Sequence, residues 1–138
     1  MQLYNSPTNF PNSFNARYKA VRFYGAFFLY FLIILFGSIP NARAEVGEFA
    51  SGVVLHGSAY AVITFLLATG SRHSWGSALL RAFLITVAMG AMDEYVQSYL
   101  PYRHASLQDW LVDGIASILM ICSLCSWTLL AARRTNRV

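Results

Sequence analysis

Four long apolar runs, separated by short polar stretches, set the pattern of the chain. They cover residues 23–39, 50–69, 78–99 and 110–132, the third being apolar only as far as Met92. As an α-helix that rises about 1.5 Å per residue, each run is long enough to cross or nearly cross a hydrocarbon core of ~30 Å. Gly37 and Pro40 end the first run, and Pro101 ends the third. The pattern therefore predicts an all-α integral membrane protein, a bundle of four transmembrane helices.

The composition agrees with a membrane protein and excludes other classes. Of the 138 residues, 57% are hydrophobic and only 12% are charged, which is too apolar for a soluble domain. The basic residues stand at the ends of the apolar runs and form no stripe that would follow nucleic-acid phosphates, so no nucleic-acid partner is expected. The chain divides into a flexible cytoplasmic tail at 1–22, a membrane domain at 23–132 and a basic cytoplasmic tail at 133–138.

The positions of the basic residues predict how the bundle is oriented. Cytoplasmic loops of membrane proteins carry an excess of Lys and Arg. With the N-terminus inside, eight of the ten basic residues lie in the cytoplasm, and only Arg43 and Arg103 lie outside. The opposite orientation would reverse this bias, so we expect both termini inside (N-in, C-in). All six acidic residues then fall on the outer side.

The first run also allows a second interpretation. A basic segment, an apolar core and the small-x-small triplet Ala42-Arg43-Ala44 resemble a secretory signal with its cleavage site. Cleavage after Ala44 would leave three spans in the same orientation. Both interpretations stay open on the sequence, and the outer polar cluster is predicted under either.

Polar side chains gather at the outer ends of the later helices. Asp93 and Gln97 stand four residues apart at the end of the third helix, and Asp109 and Asp113 repeat this spacing at the start of the fourth. The short link between these helices carries Arg103, and the second helix supplies a polar stripe at similar depth. Ionisable groups at membrane depth cost free energy unless they are paired or hydrated, so they mark a functional site. The predicted binding site comprises His56, Tyr60, Asp93, Glu94, Gln97, Arg103, Asp109 and Asp113.

A structural clasp is the alternative use of the same residues. Arg103 would bridge Glu94 and Asp109 and fix the angle between the last two helices. One Arg against four carboxylates leaves excess negative charge, which requires protonated carboxyl groups, a bound cation or a cationic partner. We expect His56 to be satisfied by a neighbouring helix rather than to bind a metal, because no second His or Cys stands at ligand spacing beside it. No cofactor is firmly implied, and a divalent cation stays open.

The segment MDEYVQSYLPYRHASLQDWLVDG, from Met92 to Gly114, resembles the VanZ-like family of bacterial membrane proteins. The family pattern is matched in order and spacing by Glu94, Gln97, Pro101, Arg103, Ser106 and Asp109. The second run adds a matching His-x-x-x-Tyr in His56 and Tyr60, and the resemblance covers about residues 24–132. Asp113 stands where the family usually has Asn, which makes this site more acidic.

The resemblance implies a multi-pass protein of the bacterial cytoplasmic membrane with a role in the cell envelope. The founding member is associated with low-level resistance to the glycopeptide teicoplanin. Our leading hypothesis is an outer-face site for a lipid headgroup, a lipid-linked envelope precursor or a cationic ligand, with membrane lipids as partners. One alternative is a metal-assisted hydrolase or transferase acting on a lipid-linked substrate. The other is a structural or assembly partner that packs against another membrane protein through the aromatic-rich first span and through small residues such as Gly90, Ala91, Gly114 and Ser117. The sequence leaves open whether the protein is an enzyme.

Overall fold

The computed structural model describes residues 16–40 and 51–135, and these residues form four α-helices and no strand. The helices are α1 (Lys19–Gly37), α2 (Gly52–Gly70), α3 (Trp75–Gln97) and α4 (Leu107–Thr135), and a short 3₁₀ turn at Ala16–Tyr18 precedes α1. All four are long and apolar enough to cross a membrane. The predicted four-helix membrane bundle is thereby confirmed.

The helices extend beyond several of the predicted ends. α1 begins at Lys19, inside the segment predicted as a tail, and α4 begins at Leu107 rather than at residue 110. Hydropathy detects only the apolar part of a helix, whereas the hydrogen-bonded backbone continues through polar residues at the membrane edge. Ser51 caps α2, its hydroxyl accepting from the Val54 N–H at 3.4 Å. The predicted cleavage position after Ala44 and most of the predicted N-terminal tail lie outside the described residues.

α2 is the central helix of the bundle and packs against each of the other three. α1 lies against α2 and has only slight contact with α3. Gly70 permits this approach, because a Cβ atom there would lie 2.5 Å from the backbone N of Phe23. The Arg22 guanidinium also donates to the Thr69 carbonyl at 3.1 Å. α1 contributes a single fully buried residue, Ala26, so it is the most peripheral helix of the described bundle.

The interior differs between the two ends of the bundle. Apolar side chains fill the end where α2 meets α3, among them Leu67, Ala68, Leu79 and Ala82. At the opposite end, the first turns of α2 and α4 meet the last turns of α3, and the buried side chains there are mainly polar. The polar end is where the predicted site residues lie.

Candidate functional site

All eight predicted site residues come together at the polar end of the bundle. Their positions follow from helix direction, because α2 and α4 begin at the end where α3 finishes. Four of them are carboxylates, and all four are largely or completely buried. We call this group the polar cluster, and it consists of His56, Tyr60, Asp93, Glu94, Gln97, Arg103, Asp109 and Asp113.

His56 is held by a carboxylate of α4. Its Nδ1 lies 3.1 Å from Oδ1 of Asp113, whose side chain is fully buried, and its Nε2 lies 4.0 Å from Oδ2 of Asp109. The imidazole also stacks on the ring of Tyr60, with 6.0 Å between ring centroids and 6° between planes. The expectation that a neighbouring helix satisfies this histidine is confirmed for Nδ1, whereas the expectation that His56 binds no metal stays a prediction. Because Asp113 accepts at Nδ1, the other ring nitrogen is directed towards Asp109.

Tyr60 continues the polar cluster along α2 towards the middle of the bundle. Its hydroxyl donates to Oδ2 of Asp93 at 3.1 Å. One turn further along α2, the Thr64 hydroxyl donates to the Tyr60 carbonyl at 2.7 Å and lies 3.1 and 3.0 Å from the hydroxyls of Thr86 and Ser117. A hydroxyl has one proton and two lone pairs, so these three contacts use its full capacity. We call Thr64, Thr86 and Ser117 the hydroxyl layer.

Glu94 joins the end of α3 to the start of α4. Its Oε2 accepts the Ser106 backbone N–H at 2.5 Å. The Ser106 hydroxyl in turn accepts the Asp109 N–H at 3.2 Å, which caps the first turn of α4. The sequence predicted that Glu94 would help to clasp these two helices, but not that a backbone amide would be its partner. No sequence signal could have shown this contact, because nearly every residue carries such an amide.

Gly90 lets α4 lie close to α3 beside the polar cluster. A Cβ atom at Gly90 would lie 2.7 Å from Oδ2 of Asp113 and 3.2 Å from Cδ1 of Trp110. The Trp110 indole N–H donates to the Val87 carbonyl at 3.1 Å and fixes the same contact. Under the assembly hypothesis, Gly90 and Ser117 would pack against another protein. That assignment is wrong for these two residues, because both are buried inside the bundle.

Three buried oxygen atoms of the polar cluster have no hydrogen-bond partner among the described residues. They are Oε1 of Glu94, Oε1 of Gln97 and Oδ2 of Asp113. Each is an acceptor, and an unsatisfied buried acceptor costs about 1–3 kcal/mol. A ligand that brings donors or positive charge would satisfy these atoms.

A cavity of about 310 Å³ opens beside the polar cluster, between α1, α2, α3 and the link that follows α3. One wall is apolar and comes from α1 and α2, with Ile33, Phe36, Leu55 and Ala59. The other wall is polar and comes from the cluster, with His56, Tyr60, Asp93, Gln97 and Arg103. Glu94 faces a second pocket, of about 390 Å³, on another side of α3. A single site therefore offers both apolar and charged surfaces.

Part of the polar cluster has the composition of a metal site. His56, Glu94 and Asp109 each offer one ligand atom, and these atoms lie within 4.8 Å of one another.

Comparison of the chain with protein-family models, with curated proteins and with solved structures finds no match. The class of the protein therefore comes from the structure itself. Its four apolar helices are those of a multi-pass membrane protein, and a buried, carboxylate-rich site lies at one end of the bundle.

Proposed function

We propose that this protein is a VanZ-like cell-envelope protein of the bacterial cytoplasmic membrane. In this proposal its polar cluster binds the headgroup of an amphipathic ligand, either a lipid or a lipid-linked envelope precursor. The observation that supports the proposal is the cavity with one apolar and one polar wall. Ligand sites in proteins are commonly largely apolar, with a few converging polar groups that set orientation.

The two walls divide the recognition of such a ligand. Ile33 and Phe36 of α1 give a surface for a hydrocarbon chain, in the same cavity that the polar residues line. On the polar wall, the Arg103 guanidinium has the planar fork that binds a phosphate or carboxylate through two parallel hydrogen bonds. Asp93 and Gln97 line the same wall and can accept from hydroxyl or amino groups of a headgroup.

The predicted orientation gives this cavity its biological context. With both termini inside, the polar cluster faces the outer side of the membrane, where envelope precursors are used. Arg103 and His104 lie on the link between α3 and α4, at the same end of the bundle. A ligand with its chain in the membrane and its headgroup at the surface would reach the cavity without leaving the outer leaflet.

Binding can be measured by native mass spectrometry of the purified protein, with phosphatidylglycerol and polyprenyl phosphate as probes. Arg103→Ala is expected to weaken binding about 10–100-fold, because charge-assisted hydrogen bonds are worth about 1.5–3 kcal/mol. Arg81→Ala is the matched control, since Arg81 contacts His73 near the opposite end of α3. Equal binding by the wild type and Arg103→Ala would reject this headgroup role.

The apolar wall can be tested separately. Ala59→Phe places a large ring in the cavity, whereas the neighbouring Ser58 is exposed and Ser58→Phe leaves the cavity unchanged. We expect Ala59→Phe to lose polyprenyl phosphate binding and Ser58→Phe to keep it. If both variants bind alike, the cavity is not the ligand site.

A phenotype follows from the family resemblance. Cells that express the wild-type protein should tolerate more teicoplanin than cells that express Arg103→Ala, at equal abundance of the two proteins in the membrane. A wild-type level of tolerance in the variant would contradict the proposed link.

A metal-assisted hydrolase or transferase is the second candidate function, favoured by the proximity of His56, Glu94 and Asp109. A bound cation would polarise a phosphoryl oxygen, and a carboxylate would act as general base. Phosphate release from polyprenyl pyrophosphate that requires a divalent metal and is lost in Glu94→Gln would favour it. The assembly alternative is still supported by the exposed aromatic face of α1, which could pack against another membrane protein. Stable co-purification of one membrane partner would favour that role.

A further inference from the structure

Three side chains from three different helices converge at the polar end of the bundle. His56 comes from α2, Glu94 from α3 and Asp109 from α4, and their ligand atoms lie within 4.8 Å of one another. We infer that these residues bind one divalent transition-metal ion of the Zn²⁺ type. The inference concerns metal binding alone, and it stands whether or not an amphipathic ligand occupies the adjacent cavity.

The first support is the way in which His56 is oriented. Metal-bound histidines usually donate their second ring N–H to a carboxylate, which fixes the tautomer and the ring direction. His56 has this arrangement, because its Nδ1 lies 3.1 Å from Oδ1 of the fully buried Asp113. Nε2 is then the nitrogen with an available lone pair, and it faces Oδ2 of Asp109 at 4.0 Å. Asp113 is thus a positioning residue for the ligand nitrogen.

The second support is independent of the histidine. The Glu94 side chain is more than nine-tenths buried, with a relative exposure of 8%. Its Oε2 accepts the Ser106 N–H, but its Oε1 has no partner among residues 16–40 and 51–135. A buried carboxylate oxygen without a hydrogen-bond partner is strongly stabilised by a cation. Glu94 therefore points to a positively charged ligand on grounds that do not depend on the spacing of the cluster.

Charge and geometry also fit a divalent ion. The polar cluster contains four buried carboxylates and one Arg, so a divalent ion would reduce its excess of negative charge at a depth where such an excess is costly. In a tetrahedral zinc site with ligands at about 2.0–2.2 Å, the ligand atoms are about 3.4 Å apart. The three side chains reach this spacing by moving inwards by about 1 Å or less each. Three protein ligands leave a fourth position open, as in catalytic zinc sites.

The ligand set selects the kind of metal. Imidazole suits Zn²⁺ and related transition ions, whereas Mg²⁺ and Ca²⁺ favour sites made of oxygen atoms alone. Zn²⁺ is therefore the probe, and Mg²⁺ is the matched comparison ion. We expect one Zn²⁺ per chain, with a thousandfold excess of Mg²⁺ failing to displace it.

The direct test uses untagged wild-type protein, stripped with a chelator in detergent and reloaded with one equivalent of Zn²⁺. X-ray absorption should show a shell of nitrogen and oxygen atoms that includes one imidazole. Sulfur in the shell would place the ion at Cys122 or Cys125 and overturn the proposal, as would binding of less than half an equivalent. This measurement needs no variant and so does not depend on a mutant folding.

Variants then assign the ligands through competition with a chromogenic chelator. Glu94→Gln and Asp109→Asn preserve side-chain shape, and each should weaken Zn²⁺ binding by more than 100-fold. Asp113→Asn should weaken it about 10–100-fold, the usual effect of losing the partner of a ligand histidine. Asp93→Asn is the control, because it removes the same charge from the polar cluster but no ligand.

The comparison with Asp93→Asn separates coordination from general electrostatics. A loss in Asp93→Asn as large as that in Glu94→Gln would mean that charge alone attracts the ion, and it would overturn the assignment. Wild-type affinity in Asp109→Asn would do the same. Failure of lipid binding with zinc binding intact would reject only the proposed headgroup function, so the two claims can fail separately.

Discussion

Gly90 lies on α3 against the start of α4, and its replacement by alanine is expected to destabilise the bundle. The added Cβ would lie 2.7 Å from Oδ2 of Asp113 and 3.2 Å from Cδ1 of Trp110. An ordinary contact between carbon and oxygen is about 3.3–3.6 Å, so the carboxylate or the helix must move by at least about 0.6 Å. The perturbation is thus small in volume but falls within the polar cluster.

Neither neighbour of Gly90 is free to move. Oδ1 of Asp113 lies 3.1 Å from Nδ1 of His56, and the Trp110 indole donates to the Val87 carbonyl at 3.1 Å. Overpacking of a well-packed interior costs about 1–3 kcal/mol, and the better helix propensity of alanine returns up to about 1 kcal/mol. With the middle of the overpacking range, about 2 kcal/mol, we expect Gly90→Ala to lower the free energy of unfolding by about 1–2 kcal/mol.

Reversible unfolding by SDS in mixed micelles, followed by tryptophan fluorescence, measures this change. Gly76→Ala on the same helix is the control, because no neighbouring atom lies within 4 Å of a Cβ there. Without a clash it should not lower stability, and the better helix propensity of alanine should raise it by up to about 1 kcal/mol. In an Asp113→Ala background the clash with Oδ2 is gone, so Gly90→Ala should cost at least about 1 kcal/mol less. Wild-type stability of Gly90→Ala, or simple additivity with Asp113→Ala, would refute the reasoning.

Three further changes test other parts of the molecule. Thr64→Val should destabilise the bundle by about 1–2 kcal/mol in the same SDS titration, because it removes the central hydroxyl of the hydroxyl layer. Adding Ser117→Ala should recover part of this loss, because it removes a hydroxyl that Thr64→Val leaves without its partner. Tyr30→Phe should cost about 0.6 kcal/mol, because it removes a single bond at 3.1 Å that holds α1 to the backbone of α3, and a loss above about 2 kcal/mol would contradict this role. For the orientation, a cysteine at His104, in a background without native cysteines, should react with an impermeant maleimide in intact cells, whereas a cysteine at Arg72 should react only after permeabilisation. The reverse labelling pattern would reject the N-in, C-in prediction.

The fold could be predicted from the sequence because a membrane imposes a length on every spanning helix. The ends of the helices were less accurate. Ser106, for example, caps α4 four residues before the predicted start at residue 110, and hydropathy gives no weight to a capping hydroxyl. α1 begins earlier for a related reason, since Lys19 and Arg22 are helical although they are charged.

The composition of the polar cluster followed from helical spacing, but most of its pairings did not. Spacing by four places His56 and Tyr60 on one side of α2. It does not show that His56 would contact Asp113 while Tyr60 contacts Asp93, because those contacts depend on the rotation of three helices about their axes. The same holds for Thr86, whose role in the hydroxyl layer carries no signal in a run of apolar residues.

The hydroxyl layer also determines what kind of device the bundle can be. Thr64 hydrogen-bonds to both Thr86 and Ser117, and beyond these three side chains the described interior is filled by apolar residues such as Leu67, Ala82 and Leu124. An ion or headgroup bound at the polar end would therefore meet apolar side chains on its inner side, and it would leave on the side of the membrane from which it entered.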